Sequence, residues 1–244
     1  MFRFALIFML LPGVALADCV VLLHGLARTD ASLIVMETVL SREGYSVVNH
    51  TYPSKQGRID ELARDAVPDG VQACQGEQPV HFVTHSMGGI VLRQYLSDST
   101  IAGLGRVVML APPNQGAELV DQLRDLPVFN WINGQAGAQL GTDAASVPSQ
   151  LGPVRFEVGV IAGDRTMNVV TSALIDGPDD GKVSVAETRV EGMTDMIVLP
   201  VTHTFMMNDP VVIAEVLAFL RTGQFERDLG LTDALEEIVT APAQ

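Results

Sequence analysis

Val80-His81-Phe82-Val83-Thr84-His85-Ser86-Met87-Gly88-Gly89-Ile90 changes character twice in a few residues. An apolar, β-branched run gives way at Thr84-His85-Ser86 to small residues, and an apolar helical pattern then continues through Ser97. A strand that turns this sharply into a helix forces the residue at the turn into a strained conformation and exposes its side chain. That residue is Ser86. The start of the following helix carries unpaired N–H groups and the positive end of its dipole, so negative charge is favoured beside Ser86. Gly88 removes a side chain where helix and neighbouring strand come together.

The same alternation runs outward in both directions. Cys19–His24, Tyr45–Asn49, Val80–Thr84, Arg106–Leu110, Phe156–Ala162 and Met196–Val201 are short runs rich in Val, Ile and Leu. They are continuously apolar, which predicts strands buried on both faces, as in a parallel sheet covered by helices. Ala31–Glu43, Arg58–Cys74, Met87–Ser97, Ala117–Asp125 and Val211–Leu220 carry apolar residues at helical spacing. Asp209-Pro210 supplies a cap and first turn for the last of these. Strands alternating with helices imply an α/β fold with right-handed crossovers. No internal repeat is present, and the first predicted strand has no antiparallel strand before it.

Composition excludes several classes. Of 244 residues, 48% are hydrophobic and 18% charged, too apolar for disorder and sufficient for a large core. Acidic residues outnumber basic ones 29 to 15, a net charge of −14. That charge argues against nucleic acid held by phosphate contacts and against docking on anionic lipid. Two Cys exclude a disulfide-dense scaffold and a Cys-rich zinc site. There is no Gly-x-Gly-x-x-Gly fingerprint after the first strand and no Walker loop, so no cofactor is expected. Asp176-Gly177-Pro178-Asp179-Asp180 lacks the regular ligand spacing of a calcium loop.

With its strand, turn and helix, Thr84-His85-Ser86-Met87-Gly88-Gly89 resembles the nucleophile elbow of the α/β-hydrolases. Gly-His-Ser-Met-Gly-Gly is common among their lipases and esterases; here Thr84 replaces the first Gly. The resemblance covers most of residues 19–221. It implies an α/β-hydrolase fold: a mostly parallel sheet of about six strands, helices on both faces and a short cap insertion. It further implies a secreted bacterial lipase- or esterase-like serine hydrolase, with Ser86 as nucleophile. Val20-Val21-Leu22-Leu23-His24-Gly25-Leu26 is similar to the family's His-Gly turn, so Leu26 and Met87 are expected to supply oxyanion-hole amides. His24 is read as a structural histidine that shapes this turn. Pro112-Pro113-Asn114-Gln115-Gly116 is similar to a Pro-x-x-Gly turn that precedes the lid in secreted lipases, and is expected to shape the pocket wall.

The general base belongs on another loop at the same sheet edge. His203, after the last strand and before the last helix, falls where the family's catalytic His falls. His81 lies within a strand, His85 is expected to point elsewhere along the turn, and His50 is a weak competitor at the end of the second strand. Met206-Met207 is read as core. For the acid, Asp180 is preferred because Asp180-Gly181-Lys182-Val183 resembles the Asp-Gly-x-Val turn of related hydrolases. Asp164, directly after the fifth strand, is the competitor, and Asp179 is a neighbour with the wrong side-chain direction. Asp195 starts the strand that leads to His203, which places it about 20 Å away at the opposite edge, at about 3.3 Å per residue.

Met1–Ala17 reads as a cleavable signal peptide, with Arg3, an apolar run too short to span a bilayer, and Ala15-Leu16-Ala17 at its end. Asp18 before Cys19 argues against a lipoprotein signal. Cleavage leaves a charge of −15, from 14 basic and 29 acidic residues. The mature chain is expected to be periplasmic or secreted, with no stable membrane anchor, and with Cys19 and Cys74 disulfide-bonded in an oxidising compartment. Residues 18–224 form the expected hydrolase domain. Leu126–Pro153, with its Pro, Gly and lone Trp131, is expected to be the cap, and residues 225–244 a C-terminal tail with no assigned function. The expected substrate is a small-molecule or lipidic acyl ester. Acyl transfer or thioester cleavage by the same triad remains the alternative, as does a non-catalytic binding protein on this fold. Oligomeric state, acyl-chain length and the physiological substrate are not encoded in these motifs.

Overall fold

The computed structural model describes residues 17–240; nearly all of the expected signal peptide lies outside the described residues. Six strands, β1 Cys19–Leu23, β2 Ser46–His50, β3 Val80–His85, β4 Leu104–Leu110, β5 Val158–Gly163 and β6 Asp195–Leu199, form one sheet in the order β2-β1-β3-β4-β5-β6. Every pairing is parallel. The chain steps outward from β1 to β2, then back past β1 to β3 and onward. This reversal opens a crevice beyond the carboxyl ends of β1 and β3, where open α/β sheets bind ligands. Leu23 pairs with Thr84 there, so the turns after β1 and β3 emerge side by side.

Alternating side chains explain why the strands read as unbroken apolar runs. Val21 and Leu23 of β1, Phe82 of β3 and Met109 of β4 pack on one face with α2 (Ile59–Ala73) and α3 (Met87–Leu96). Val20, Leu22, Val83, Val108 and Leu110 pack on the other with α1 (Ile34–Arg42) and α8 (Pro210–Thr222), and Met206 and Met207 are buried there too. Edge strand β2 is only half-buried. Between β4 and β5 lie α4 (Glu118–Leu123), α5 (Pro127–Ala138) and α6 (Val147–Gln150); α7 (Val169–Ser172) follows β5. The predicted irregular stretch Leu126–Pro153 thus contains helical turns. Its periodicity is broken because α5 is two pieces joined at Gly134, with φ 64° and ψ −165°. Asp209 caps α8 by accepting from the Val211 and Val212 N–H groups, with Pro210 in the first turn.

Cys19 and Cys74 are joined by a disulfide with Cα atoms 5.8 Å apart, tying the start of β1 to the end of α2. The bridge closes a loop with a sequence separation of 55, for which chain entropy gives about 4 kcal/mol. Thiol titration of the denatured, unreduced protein is expected to find no free thiol, and reduction should lower unfolding stability by about that amount. Two titratable thiols would remove the bridge.

Residues beyond Gln224 fold back on α8, and α9 (Leu231–Thr240) packs there with Ala234 buried. Phe225 sits against Phe219 with ring centroids 5.0 Å apart. Glu215 of α8 is buried and accepts a 2.7 Å hydrogen bond from the Glu226 N–H. Burial, aided by the nearby Glu226 charge, pushes its carboxyl up to about 7. A carboxyl whose folded pKa is raised stabilises the fold most when protonated, and that contribution is lost as pH rises from about 4.5 to about 7. Glu215→Gln keeps an acceptor without the charge. It is expected to raise Tm by roughly a few degrees at pH 8 and to change it little at pH 4. An equal shift at both pH values would contradict this.

Candidate active site

Ser86 stands between the last residue of β3 and the first of α3, with φ 53° and ψ −123°, a strained conformation for a residue with a side chain. Its N–H donates to Leu110 O at 2.8 Å. Only glycine fits two residues on, because a Cβ at Gly88 would lie 2.4 Å from Leu23 O of β1. Thr84 is wholly buried and fits the strand. The helix passes it at Gly89, where an added Cβ would meet Thr84 Oγ1 at 3.2 Å. The Thr84 hydroxyl has no hydrogen-bond partner, so the β-branched residue is accommodated sterically with its polar group unpaired.

His203, on the loop after β6, is buried at 3% exposure. Its Nε2 lies 3.1 Å from Ser86 Oγ and its Nδ1 2.7 Å from Asp180 Oδ2. With the proton on Nδ1, the ring donates to Asp180 and accepts from Ser86. The His203 N–H also donates to Asp180 O at 2.9 Å, so main chain and side chain are both tied to the Asp180 turn. The other carboxylate oxygen of Asp180 accepts from the Lys182 and Val183 N–H groups at 3.0 and 2.9 Å. Asp179 is committed elsewhere, to the Ser172 hydroxyl and the Gly181 N–H. Asp164 pairs with Arg165 at 3.6 Å. Asp195 binds Arg227 and the Phe225 N–H at the start of β6. His81 bonds the Arg106 N–H and Asp18, and His50 ends β2. The geometry therefore brings Ser86, His203 and Asp180 together and leaves the other candidates outside.

The turn after β1 is held by His24 and Tyr52. His24 Nδ1 lies 2.9 Å from Gly25 O, and its Nε2 accepts from the Tyr52 N–H at 3.3 Å. The Tyr52 hydroxyl donates to His24 O at 2.6 Å, and the two rings stack with centroids 4.3 Å apart. Those bonds require neutral His24, and burial lowers its pKa accordingly. A Cβ on Gly25 would come within 3.2 Å of Ser86 Cβ, so this turn runs directly alongside the serine. Among the described residues neither the Leu26 nor the Met87 N–H has an internal acceptor.

Beside Ser86 and His203 opens a cavity of about 380 Å³. Its apolar wall includes Val120, Leu123, Leu126, Phe129, Ile132 and Leu140, drawn from α4, α5 and their flanks. Pro113 of the Pro-x-x-Gly turn also lines it. Val128 of α5 also lines the cavity although it is half-exposed, whereas Trp131 lies outside the lining and is 81% exposed.

A family model described as the alpha/beta hydrolase family matches residues 20–216. The chain belongs to the alpha/beta hydrolase family. No curated protein matches the sequence. Among solved structures, the mature form of Bacillus licheniformis lipase BlEst2 is similar, with a TM-score of 0.64, 18% identity, and coverage of 86% of this chain and 94% of that one. Legionella pneumophila phospholipase PlaB is similar at a TM-score of 0.65 and 15% identity over 92% of this chain and 63% of its own. Aspergillus fumigatus lipase B is similar at 0.64 and 16%, over 91% of this chain and 61% of its own. At these identities the likeness is one of fold, and this chain spans less than two thirds of the latter two proteins.

Three supports of this candidate site escape sequence reasoning. His85, expected to point away, instead lies against His203: its Nε2 is 3.0 Å from His203 O and the rings are 4.9 Å apart. Burial first, and the neighbouring imidazole second, lower its pKa well below the usual value. A neutral Nε2–H donating to His203 O fixes the loop that carries the imidazole. The signal was a polar side chain ending a fully buried strand, which must find a partner. Tyr52 is the second. Arg93 of α3 is the third: it donates to Asn114 O, Asn114 Oδ1 and Gly152 O, tying the helix after Ser86 to the Pro113–Gly116 turn. Burial without a carboxylate partner lowers the guanidinium to about 10.

Proposed function

We propose that this hydrolase-family chain cleaves carboxylic esters, with lipidic acyl esters as its substrate class, through an acyl-enzyme on Ser86. The observation that carries the reading is the continuous Ser86–His203–Asp180 hydrogen-bond chain opening on an apolar cavity. Ser86 Oγ attacks the ester carbonyl carbon as its proton passes to His203 Nε2. The carbonyl oxygen becomes an oxyanion held by the Leu26 and Met87 N–H groups, at the positive end of α3. Asp180 orients His203 and stabilises the imidazolium. Collapse breaks the bond to the alkoxide, which takes the proton from Nε2 and leaves as an alcohol. Water, deprotonated by His203, then attacks the acyl carbon and releases the acid and free Ser86.

The stretch 126–153 acts as a cap whose α5 covers the acyl side of the site. Residues 1–17 act as a cleaved export signal, consistent with the Cys19–Cys74 bridge. No helix among the described residues is long and apolar enough to cross a membrane. The test is an assay of the purified protein on p-nitrophenyl esters of graded acyl length, beside a matched thioester. Hydrolysis that rises from acetyl to longer acyl esters is expected, because the cavity wall is apolar. Turnover confined to the thioester would reassign the site to thioester cleavage.

A further inference from the structure

The charged side chains lining the catalytic cavity are Arg28 and Lys182; no Asp or Glu lines it, although the chain carries 29 acidic and 15 basic residues. Elsewhere among the described residues cations such as Arg106 and Arg227 are paired with carboxylates, Glu157 and Asp195. Arg28 and Lys182 make no ion pair or side-chain hydrogen bond among the described residues. They also repel each other. Lys182, exposed at its surface but crowded by protein, is lowered in pKa first by desolvation and next by Arg28, with Asp180 opposing. Two like charges facing one cavity are a cost that an anion between them would relieve.

Their positions in the chain say which part of a substrate they meet. Most of the apolar wall comes from residues 113–140, with Leu26 and Val183 adding to it nearer the cations, and the 113–140 side suits an acyl chain. Arg28 follows Leu26 on the oxyanion turn, and Lys182 follows Asp180 on the turn that holds His203. His203 Nε2 is where the leaving alcohol is protonated. We propose that Arg28 and Lys182 hold an anionic group, a phosphate or a carboxylate, on the alcohol side of the ester, so that the substrates are anionic amphiphiles. The inference rests on the ester-hydrolase reading of the site, and its test separates the two.

Binding is measured by calorimetry on the full mature chain with octyl phosphate, nonanoate and octyl glucoside below their aggregation concentrations. In parallel, kcat/KM is measured on 1-octanoylglycerol, 1-octanoylglycerol 3-phosphate and octanoyl glycolate. The wild type should bind octyl phosphate roughly tenfold more tightly than the neutral glucoside, the scale of one hydrogen bond to a charged group. The kcat/KM ratio of anionic to neutral ester should shift alike, mainly through KM, and both ratios should shrink with added salt. Nonanoate and glycolate matching the phosphate ligands means that any anion suffices; a preference for phosphate narrows the class. Arg28→Gln/Lys182→Gln should bring both ratios to about one, whereas Arg28→Lys/Lys182→Arg should retain them. Equal affinity of the wild type for charged and neutral ligands, or a ratio that survives in the double Gln variant, would overturn the proposal. Anion-selective binding without ester turnover would sink the hydrolase reading and leave the anion site standing; turnover without anion preference would do the reverse.

Discussion

Ser86→Ala is expected to cut ester turnover by on the order of 10⁴-fold or more, with the fold intact. The loss should fall on kcat. The oxygen removed is the one proposed to form the covalent bond, and alanine leaves the apolar cavity wall and the Leu26 turn unchanged. Alanine also retains the Cβ that the strained φ of 53° already accommodates, so thermal stability should change little. Ester hydrolysis near the wild-type rate in this variant, measured on enzyme cleared of contaminating hydrolases, would remove Ser86 from the chemistry.

The next largest effect is expected at Asp180. Asp180→Asn retains the size of the side chain but removes the charge that favours imidazolium and can turn an N–H toward His203 Nδ1. Loss of the correct tautomer should lower kcat by about 10³- to 10⁴-fold. The same exchange at Asp164, whose carboxylate faces Arg165 and not the imidazole, should leave turnover within a few-fold. The two variants are compared on one ester at one pH, with circular dichroism confirming the fold. An active Asp180→Asn beside a crippled Asp164→Asn would transfer the acid to Asp164.

The fold was legible because both of its signals are local. Continuous apolar strands report a doubly covered sheet, and Val20 and Val21 of β1 do point into opposite cores. The bend at Ser86 is equally local, since Gly88 is demanded by a carbonyl of the adjacent strand. The proposed acid is harder to read. Asp164, Asp179 and Asp180 all follow β5, and what sets Asp180 toward His203 is two backbone N–H bonds within its own turn. The partners of His85 and Arg93 were illegible because they are far along the chain: His85 meets His203 at a separation of 118 residues, and Arg93 meets Gly152 at 59. Tyr52 reads as an ordinary aromatic after β2 until the fold stacks it on His24. Leu126–Pro153 lost its helical signal at the Gly134 kink, where periodicity restarts out of phase.

The most direct measurement on the central claim is covalent labelling of the folded protein by a fluorophosphonate, read by intact mass and peptide mapping. Phosphonylation requires a serine oxygen activated by a neighbouring base, and it is independent of which ester the protein uses. A single adduct mapped to Ser86, absent in Ser86→Ala and strongly slowed in His203→Gln, is the predicted result. A folded wild-type protein that takes up no label, or takes it at another residue with Ser86 untouched, would contradict it.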